Sequence, residues 1–131
     1  MHNRSNQDQL TFSKEERITH KGDIEKLFIS GKKINLFPFD VRYYSGQRGS
    51  LNKVLISVSK KNVKSAVKRN LIKRRIRESY RLNKKQLSNS GYSIAIIYVD
   101  YKILKFKQIE DFIQKRFKKH SQAGLKQEMI S

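Results

Sequence analysis

Cysteine, tryptophan and long apolar segments are all missing from this 131-residue sequence. Without cysteine, the chain can form no disulfide, no thiolate nucleophile and no Cys-rich zinc site. No apolar run reaches the roughly 18 residues that a membrane span needs, and residues 1–5 lead into no apolar signal core. We therefore expect a soluble, cytoplasmic protein that does not bind a membrane.

Acidic residues are scarce as well. Eleven Asp and Glu accompany 30 Lys and Arg, which leaves a formal net charge of +19. This self-repulsion destabilises a compact domain unless a polyanion offsets it, and the phosphates of RNA or DNA suit a broad cationic surface best. An anionic membrane would instead select one amphipathic helix or a polybasic tract. Composition alone leaves an acidic protein partner open.

The distribution of acids and histidines argues against a self-contained nuclease. Metal-dependent nucleases need clustered carboxylates, whereas the acids here are scattered along the chain and form no spaced set. His2 and His120 fall near the chain ends and His20 falls in a predicted loop, so the sequence indicates no acid–base pair. We expect no catalytic residue and no metal site in the polypeptide, which would act through electrostatics and positioning.

The length predicts one domain, flanked by polar segments. We expect a flexible polar tail over residues 1–12, a single RNA-binding α+β domain over residues 13–119 and a second flexible tail over residues 120–131. Hydrophobic periodicity predicts, in chain order, a helix over 21–30, a strand over 34–44, a strand over 53–59, a helix over 64–86, a strand over 92–99 and a helix over 105–119. This order, αββαβα, predicts a two-layer sandwich of helices on a small central sheet.

The segment 60–85 is the most basic part of the chain, with twelve Lys or Arg and one acid, Glu78. At about 100° per residue, Arg69, Lys73, Arg77, Asn70, Arg81 and Arg74 fall on one side of a helix, and Leu71, Ile72, Ile76 and Leu82 fall on the side that would face the sheet. An ordinary solvated face mixes charges of both signs, because like charges at i,i+4 destabilise a helix. The unbroken row therefore predicts a surface for a phosphate backbone, which arginine forks hold in a bidentate manner.

The sequence of this segment resembles a known family. SVSKK (residues 57–61) and AVKRNLIKRRIRESYR (residues 66–81) are similar to the signature of the protein component of bacterial ribonuclease P. The resemblance covers roughly residues 12–119, including the first helix before Gly31 and the strand and helix that follow. Two features depart from the family: Leu71 stands where its basic triplet has a third arginine, and residues 62–65 are one residue longer than the common version.

The resemblance implies that the protein is a subunit of ribonuclease P, an endonuclease that removes the 5′ leader from precursor tRNA. The catalytic RNA would carry the active site and its Mg²⁺, and the protein, itself a monomer, would bind both ribonuclease P RNA and the precursor. It also implies an unusual left-handed βαβ crossover around the basic helix. The residues expected to contact the catalytic RNA are Lys60, Lys61, Lys68, Arg69, Asn70, Lys73, Arg74, Arg77 and Arg81.

Single-stranded RNA is held in cationic grooves with aromatic stacking platforms. Phe28, Phe39, Tyr43 and Tyr80 are the aromatic residues that we expect to bind the leader in a cleft between helix and sheet. Packing in the core is the open alternative for each of them.

Two plain binding modules are further alternatives. A helix-turn-helix DNA reader is disfavoured, because a strand rather than a short helix precedes the basic helix. A non-catalytic ribosomal-type RNA-binding protein would share the charge and the fold, and only the motif separates it from the ribonuclease P protein.

Overall fold

The computed structural model describes residues 12–46, 49–87 and 91–130, with side chains in the last helix as far as Lys118. Residues 1–11 of the predicted N-terminal tail lie outside this range, and the predicted flexibility of both tails stays a prediction. Within the described residues, no helix combines the length and apolar character of a membrane span.

The structure confirms a mixed α+β fold. It contains α1 (Lys21–Ser30), β1 (Lys32–Leu36), β2 (Phe39–Tyr44), β3 (Lys53–Val58), α2 (Ala66–Asn83), β4 (Ser93–Tyr98) and α3 (Phe106–Ile130). Short 3-10 turns precede α1 (Lys14–Glu16) and follow α2 (Lys84–Leu87). The last helix runs past its predicted end at residue 119, since no proline interrupts the segment beyond it.

The predicted strand over residues 34–44 is wrong in one respect, because it is two strands. The chain reverses at a cis Phe37–Pro38 bond, and Leu36 pairs with Phe39 across a tight hairpin. Proline has no N–H for a strand ladder and holds φ near −65°, so Pro38 stands at the turn and not inside a strand. The sheet therefore has four strands.

The strand order is β1-β2-β4-β3. The first two neighbouring pairs are antiparallel, whereas β3 and β4 run parallel, with Val54 opposite Ile94 and Val58 opposite Tyr98. Because two parallel neighbours need a crossover connection, α2 forms a βαβ unit with them. The left hand of this crossover stays a prediction.

Helices cover both faces of the sheet. On one face, Ile94, Ile96 and Tyr98 of β4 join the main core cluster, to which Ile72 of α2 and Ile109 of α3 belong. On the other face, Ala95 packs in a smaller cluster with Ile18 and with Leu27 of α1. A nearly continuous apolar run such as β4 is typical of a strand buried on both faces. The short α1 thus adds a third layer to the predicted two-layer sandwich. Because it has only ten residues, it covers part of this second face of the sheet.

One ion pair joins the chain start to the end of α2. Lys84 Nζ lies 2.9 Å from Glu16 Oε1 and 3.1 Å from Oε2. Both side chains are largely buried, and removing one partner of a buried ion pair is strongly destabilising. The pair fixes residues 13–18 against the helix that carries the basic row.

Candidate nucleic-acid interface

The basic helix α2 begins within two residues of its predicted start. Ser65 is its N-cap, and the Ser65 side-chain oxygen accepts a hydrogen bond of 3.3 Å from the Lys68 backbone N–H. The first turn contains no acidic residue, so nothing there offsets the positive end of the helix dipole. This end of α2 is electropositive before any side-chain cation is counted.

The outer face of α2 carries the predicted donors. Lys68, Asn70, Arg74 and Arg77 are exposed, and Lys73 is half-buried. Ile72, Ile76 and Tyr80 are buried on the opposite side. The predicted segregation of cations from apolar residues is confirmed along this length, and the exposed side chains form what we call the donor row, namely Lys68, Asn70, Arg74 and Arg77.

Two leucines do not follow the predicted pattern. Leu71 is half-buried and Leu82 is exposed, although both were expected to face the sheet. On the helical wheel these leucines lie roughly 100° away from Ile72, Ile76 and Asn83, which point at the core. They therefore sit at the margin of the buried side.

Three arginines of α2 are engaged within the protein. The Arg69 guanidinium donates to the carbonyls of Val63 and Lys64, at 2.9 and 2.8 Å, and so ties the preceding loop to the helix. Arg75 donates to the Leu104 carbonyl, just before α3. Arg81 forms an ion pair with Glu78. These contacts distinguish structural cations from the donor row.

The Glu78–Arg81 pair reduces the charge available at the end of the helix. The hydrogen bond from the Arg81 guanidinium lowers the pKa of Glu78, and the same contact raises the pKa of Arg81. Both groups therefore stay ionised at neutral pH and compensate one another. Arg81 stays a predicted RNA contact, but its net field is weaker than that of Arg74 or Arg77.

Lys60 and Lys61 extend the donor row onto the neighbouring loop. Both are exposed. The turn that carries them is held by hydrogen bonds from the N–H groups of Asn62 and Val63 to the Ser59 carbonyl, at 3.2 and 3.0 Å. Ser59 N–H donates in turn to the Tyr98 carbonyl at 3.0 Å. The two lysines are thus presented at the end of the sheet, beside the start of α2.

Two of the predicted leader-binding aromatics are core residues, which corrects the prediction for them. Phe39 is 2 % exposed and Tyr80 is 1 % exposed. The Phe39 ring centroid lies 5.1 Å from that of Phe112, and the Tyr80 centroid lies 5.4 Å from that of Phe12. Burial raises the pKa of Tyr80. Side chains enclosed in this way offer no face to a base.

Tyr43 lies on the same covered face, because side chains alternate along a strand and Phe39, Val41 and Tyr43 point one way. Its ring is half-buried and stands 6.2 Å from that of Tyr92. Both rings line a cavity of about 50 Å³ under the C-terminal helix, with Arg116 at its wall. Tyr43 is therefore separated by the sheet from Phe28.

Phe28 is the predicted aromatic that an RNA could reach, with 36 % of its surface exposed. The Arg42 guanidinium carbon stands 4.9 Å from its ring centroid, and Arg42 Nη1 donates to the Phe28 carbonyl at 3.0 Å. Beside them, Lys26 Nζ lies 4.9 Å from the Tyr44 ring centroid. We call this set the α1 groove: Lys26, Phe28, Arg42 and Tyr44.

Sequence reasoning missed three members of the α1 groove, Lys26, Arg42 and Tyr44. The signal that could have found Arg42 and Tyr44 is the period of two in β2, which sets them on the face opposite Phe39. Arg42 Nε and Asp40 Oδ1 are buried without a hydrogen-bond partner among the described residues.

Comparisons with known proteins agree with the motif. The family model described as Ribonuclease P matches residues 12–121. The ribonuclease P protein component of Porphyromonas gingivalis is 36% identical over 111 residues, covering 79% of this chain and 81% of that protein. That of Clostridioides difficile is 32% identical over 111 residues, covering 84% and 96%.

Solved structures give the same result for the fold. The RNase P protein of Staphylococcus aureus superimposes with a TM-score of 0.66 at 28% identity, covering 76% of this chain and 90% of that one. The RNase P protein of Thermotoga maritima gives a TM-score of 0.66 at 24% identity, covering 79% and 96%, and supports the fold alone. The matched region includes the donor row and the α1 groove.

Proposed function

The chain belongs to the ribonuclease P protein family, and on that premise we propose that it binds the catalytic RNA of ribonuclease P through α2 and the 5′ leader of precursor tRNA through the α1 groove. The RNA then cleaves the leader from the precursor. We expect the polypeptide to join this ribonucleoprotein as a monomer in the cytoplasm. It is thus the protein subunit of an endoribonuclease whose active site lies in the RNA.

The donor row is the observation that carries this proposal. Its side chains extend from a folded helix with no acid in the first turn, and Lys60 and Lys61 continue it onto the adjacent loop. A duplex RNA backbone offers a matching line of phosphates, which guanidinium and ammonium groups bind with release of counterions. The engaged arginines hold the helix and its loop in place, so the donor row is presented as a preformed surface.

The α1 groove supports the second half of the proposal. An exposed ring beside a guanidinium suits a stacked base and its phosphate, as in other single-strand grooves. Phe28 retains its predicted role here, whereas Arg42 and Tyr44 replace Phe39, Tyr43 and Tyr80. Phe28, near the end of the ten-residue α1, keeps its ring partly exposed to such a base.

We propose that Mg²⁺ is held by the RNA subunit. Among the described residues, no three acidic or histidine side chains lie close enough together to hold a metal ion. Three of the acids face a cation instead: Glu16 binds Lys84, Glu78 binds Arg81, and Asp111 lies 3.4 Å from Lys107. Asp100 accepts a hydrogen bond from the Lys102 backbone. The part of the protein played in the reaction is to bind and orient RNA.

Reconstitution with the cognate ribonuclease P RNA tests the proposal. At low Mg²⁺, the wild-type protein should restore cleavage of precursor tRNA. Replacing Arg74 and Arg77 together by Ala should weaken binding of the catalytic RNA with every substrate, whereas Phe28→Ala should weaken only substrates that carry a leader. Lys107→Ala, which removes one exposed cation from α3, is the matched control and should behave as the wild type.

Two results would contradict the proposal. Absence of stimulation with retained affinity for RNA would favour a ribosomal-type RNA-binding protein. A loss per removed charge that is the same in Lys107→Ala as in the Arg74 and Arg77 variant would mean that net charge, and not the donor row, sets affinity.

A further inference from the structure

Two aromatic side chains are far more exposed than any other described aromatic. Phe37 is 70 % exposed and Tyr101 is 71 % exposed, whereas Phe28, the next, reaches 36 %. Neither of the two belongs to the donor row or the α1 groove. Large apolar side chains exposed together, as distinct from singly, mark interaction sites, so the position of these two relative to one another matters.

The backbone brings Phe37 and Tyr101 to the same end of the sheet. Phe39 pairs with Tyr98, and the Val99 N–H donates to the Pro38 carbonyl at 2.9 Å. Phe37 precedes Pro38 in the hairpin turn and Tyr101 follows Val99 by two residues, so both aromatic residues lie just beyond this hydrogen bond. The hairpin turn and the chain after β4 therefore expose one aromatic residue each at the same end of the sheet.

The turn that carries Tyr101 is held by internal hydrogen bonds. Asp100 is buried, and its Oδ1 accepts from the Lys102 backbone N–H at 3.1 Å. The buried Tyr98 hydroxyl donates to the Lys102 carbonyl. A side chain on such a turn keeps its exposed position at a lower entropic cost on binding than one on a loose loop.

Lysines lie at the same end of the sheet as the two exposed aromatic residues. Lys102 is exposed beside Tyr101, and Lys60 and Lys61 follow β3, whose end lies next to β4. The acid in this region, Asp100, is buried and bonded to backbone. We call Phe37, Tyr101 and Lys102 the sheet-end platform, which borders the two lysines that continue the donor row.

We propose that the sheet-end platform stacks unpaired nucleotides of the precursor's leader, in addition to those in the α1 groove. The inference rests on the proposed function, since it extends the leader path of the same protein. Aromatic faces among cations bind single-stranded RNA, whereas the stacked bases of a duplex offer no faces. Arg42 and Pro38 are four residues apart, roughly 13 Å along an extended strand, so one single strand can reach both surfaces.

The experiment places 2-aminopurine at successive leader positions of precursor tRNA bound to the reconstituted holoenzyme. Stacking on an aromatic ring quenches this fluorophore. Phe37→Ala and Tyr101→Ala should each abolish quenching at one or more positions that Phe28→Ala leaves quenched. Each should also weaken leader-bearing precursor roughly fivefold or more, as expected for one lost stack. Phe37→Tyr and Tyr101→Phe keep the ring and should retain the quench.

Leu51→Ala is the matched control, because Leu51 is an exposed apolar residue at the opposite end of β3 and should change neither readout. Unchanged quenching and affinity in both alanine variants would overturn the inference. An equal loss of affinity for a leaderless substrate would also overturn it, since the contact would then be with the catalytic RNA. These outcomes can be told apart from a failure of the proposed function, because in that case the wild-type protein itself would not stimulate cleavage of precursor tRNA.

Discussion

Arg74 and Arg75 are adjacent on α2, and their surroundings predict opposite consequences of the same substitution. Arg74 is exposed in the donor row. Arg75 is half-buried, and its guanidinium donates to the Leu104 carbonyl at the start of α3. Glutamine in either place removes one positive charge and keeps a polar side chain, so Arg74→Gln and Arg75→Gln form a matched pair.

The expected magnitudes differ in kind. Each phosphate contact contributes about 0.7–0.9 to the slope of log affinity against log salt concentration, and Arg74→Gln should reduce the slope by about that amount at an unchanged melting temperature. Arg75→Gln removes a hydrogen bond from a charged donor, which typically contributes roughly 1.5–3 kcal/mol. For a domain of this length, that loss corresponds to a melting temperature lower by roughly 5–15 °C.

The assay combines anisotropy titrations of labelled ribonuclease P RNA at several salt concentrations with thermal unfolding of the free protein by circular dichroism. Both variants carry the same net charge, so any difference between them reports location. The reasoning is refuted if Arg75→Gln lowers the salt slope as much as Arg74→Gln while melting at the wild-type temperature.

Three further predictions concern stability. In urea unfolding, Tyr80→Ala should destabilise the fold by roughly 3–5 kcal/mol, and it should cause no selective loss of leader binding. A variant that stays stable but loses leader binding would support the predicted stacking of a leader base on Tyr80. Glu16→Ala should cost about 3–5 kcal/mol, because it removes one charge of a largely buried ion pair. Replacing both Glu16 and Lys84 by apolar residues should cost less, and the reverse order would contradict the buried pair. Burial raises the pKa of Tyr80, Tyr92 and Tyr98 above 10.0, so the folded state holds these protons more tightly. Their stabilisation is intact below about pH 10 and is lost as pH rises beyond it. In unfolding experiments between about pH 9 and pH 11, Tyr80→Phe should show a smaller loss of unfolding free energy with rising pH. An unaltered pH dependence would argue against a contribution from the buried Tyr80 hydroxyl.

Element type and order could be predicted wherever a periodic pattern is long. The apolar spacing in α2 and the continuous run in β4 defined both elements to within a few residues, because burial on one or both faces dictates the pattern directly. The hairpin at Pro38 was missed because the residues on either side of it, Leu36 and Phe39, continue an apolar pattern that suits one strand or two. The position of α1 on the second face follows from the sheet order, which local sequence does not encode.

The sequence predicted which side of α2 carries the positive charges, but it did not predict which arginines form hydrogen bonds within the protein. The exposed donors of α2 follow from the helical wheel, since one side of the helix must face the core. The engagement of Arg69 by the carbonyls of Val63 and Lys64 depends on how the preceding loop closes, and that of Arg75 depends on a residue 29 positions away. Phe39 was misassigned because the alternation in β2 identifies two faces without saying which one the helices cover.

The crossover of α2 between two parallel strands has a consequence for how much protein a cell keeps. β3 is joined to the rest of the sheet through β4, and the connection between them is the helix proposed to bind RNA. A ligand specific for the folded form stabilises it by about 2.7 kcal/mol when present at a hundred times its dissociation constant. Polypeptide made in excess of the RNA lacks that protection and unfolds more often, which exposes it to proteases. On the binding proposed for α2, RNA would therefore stabilise the connection that holds β3 in the sheet and lengthen the lifetime of the folded subunit.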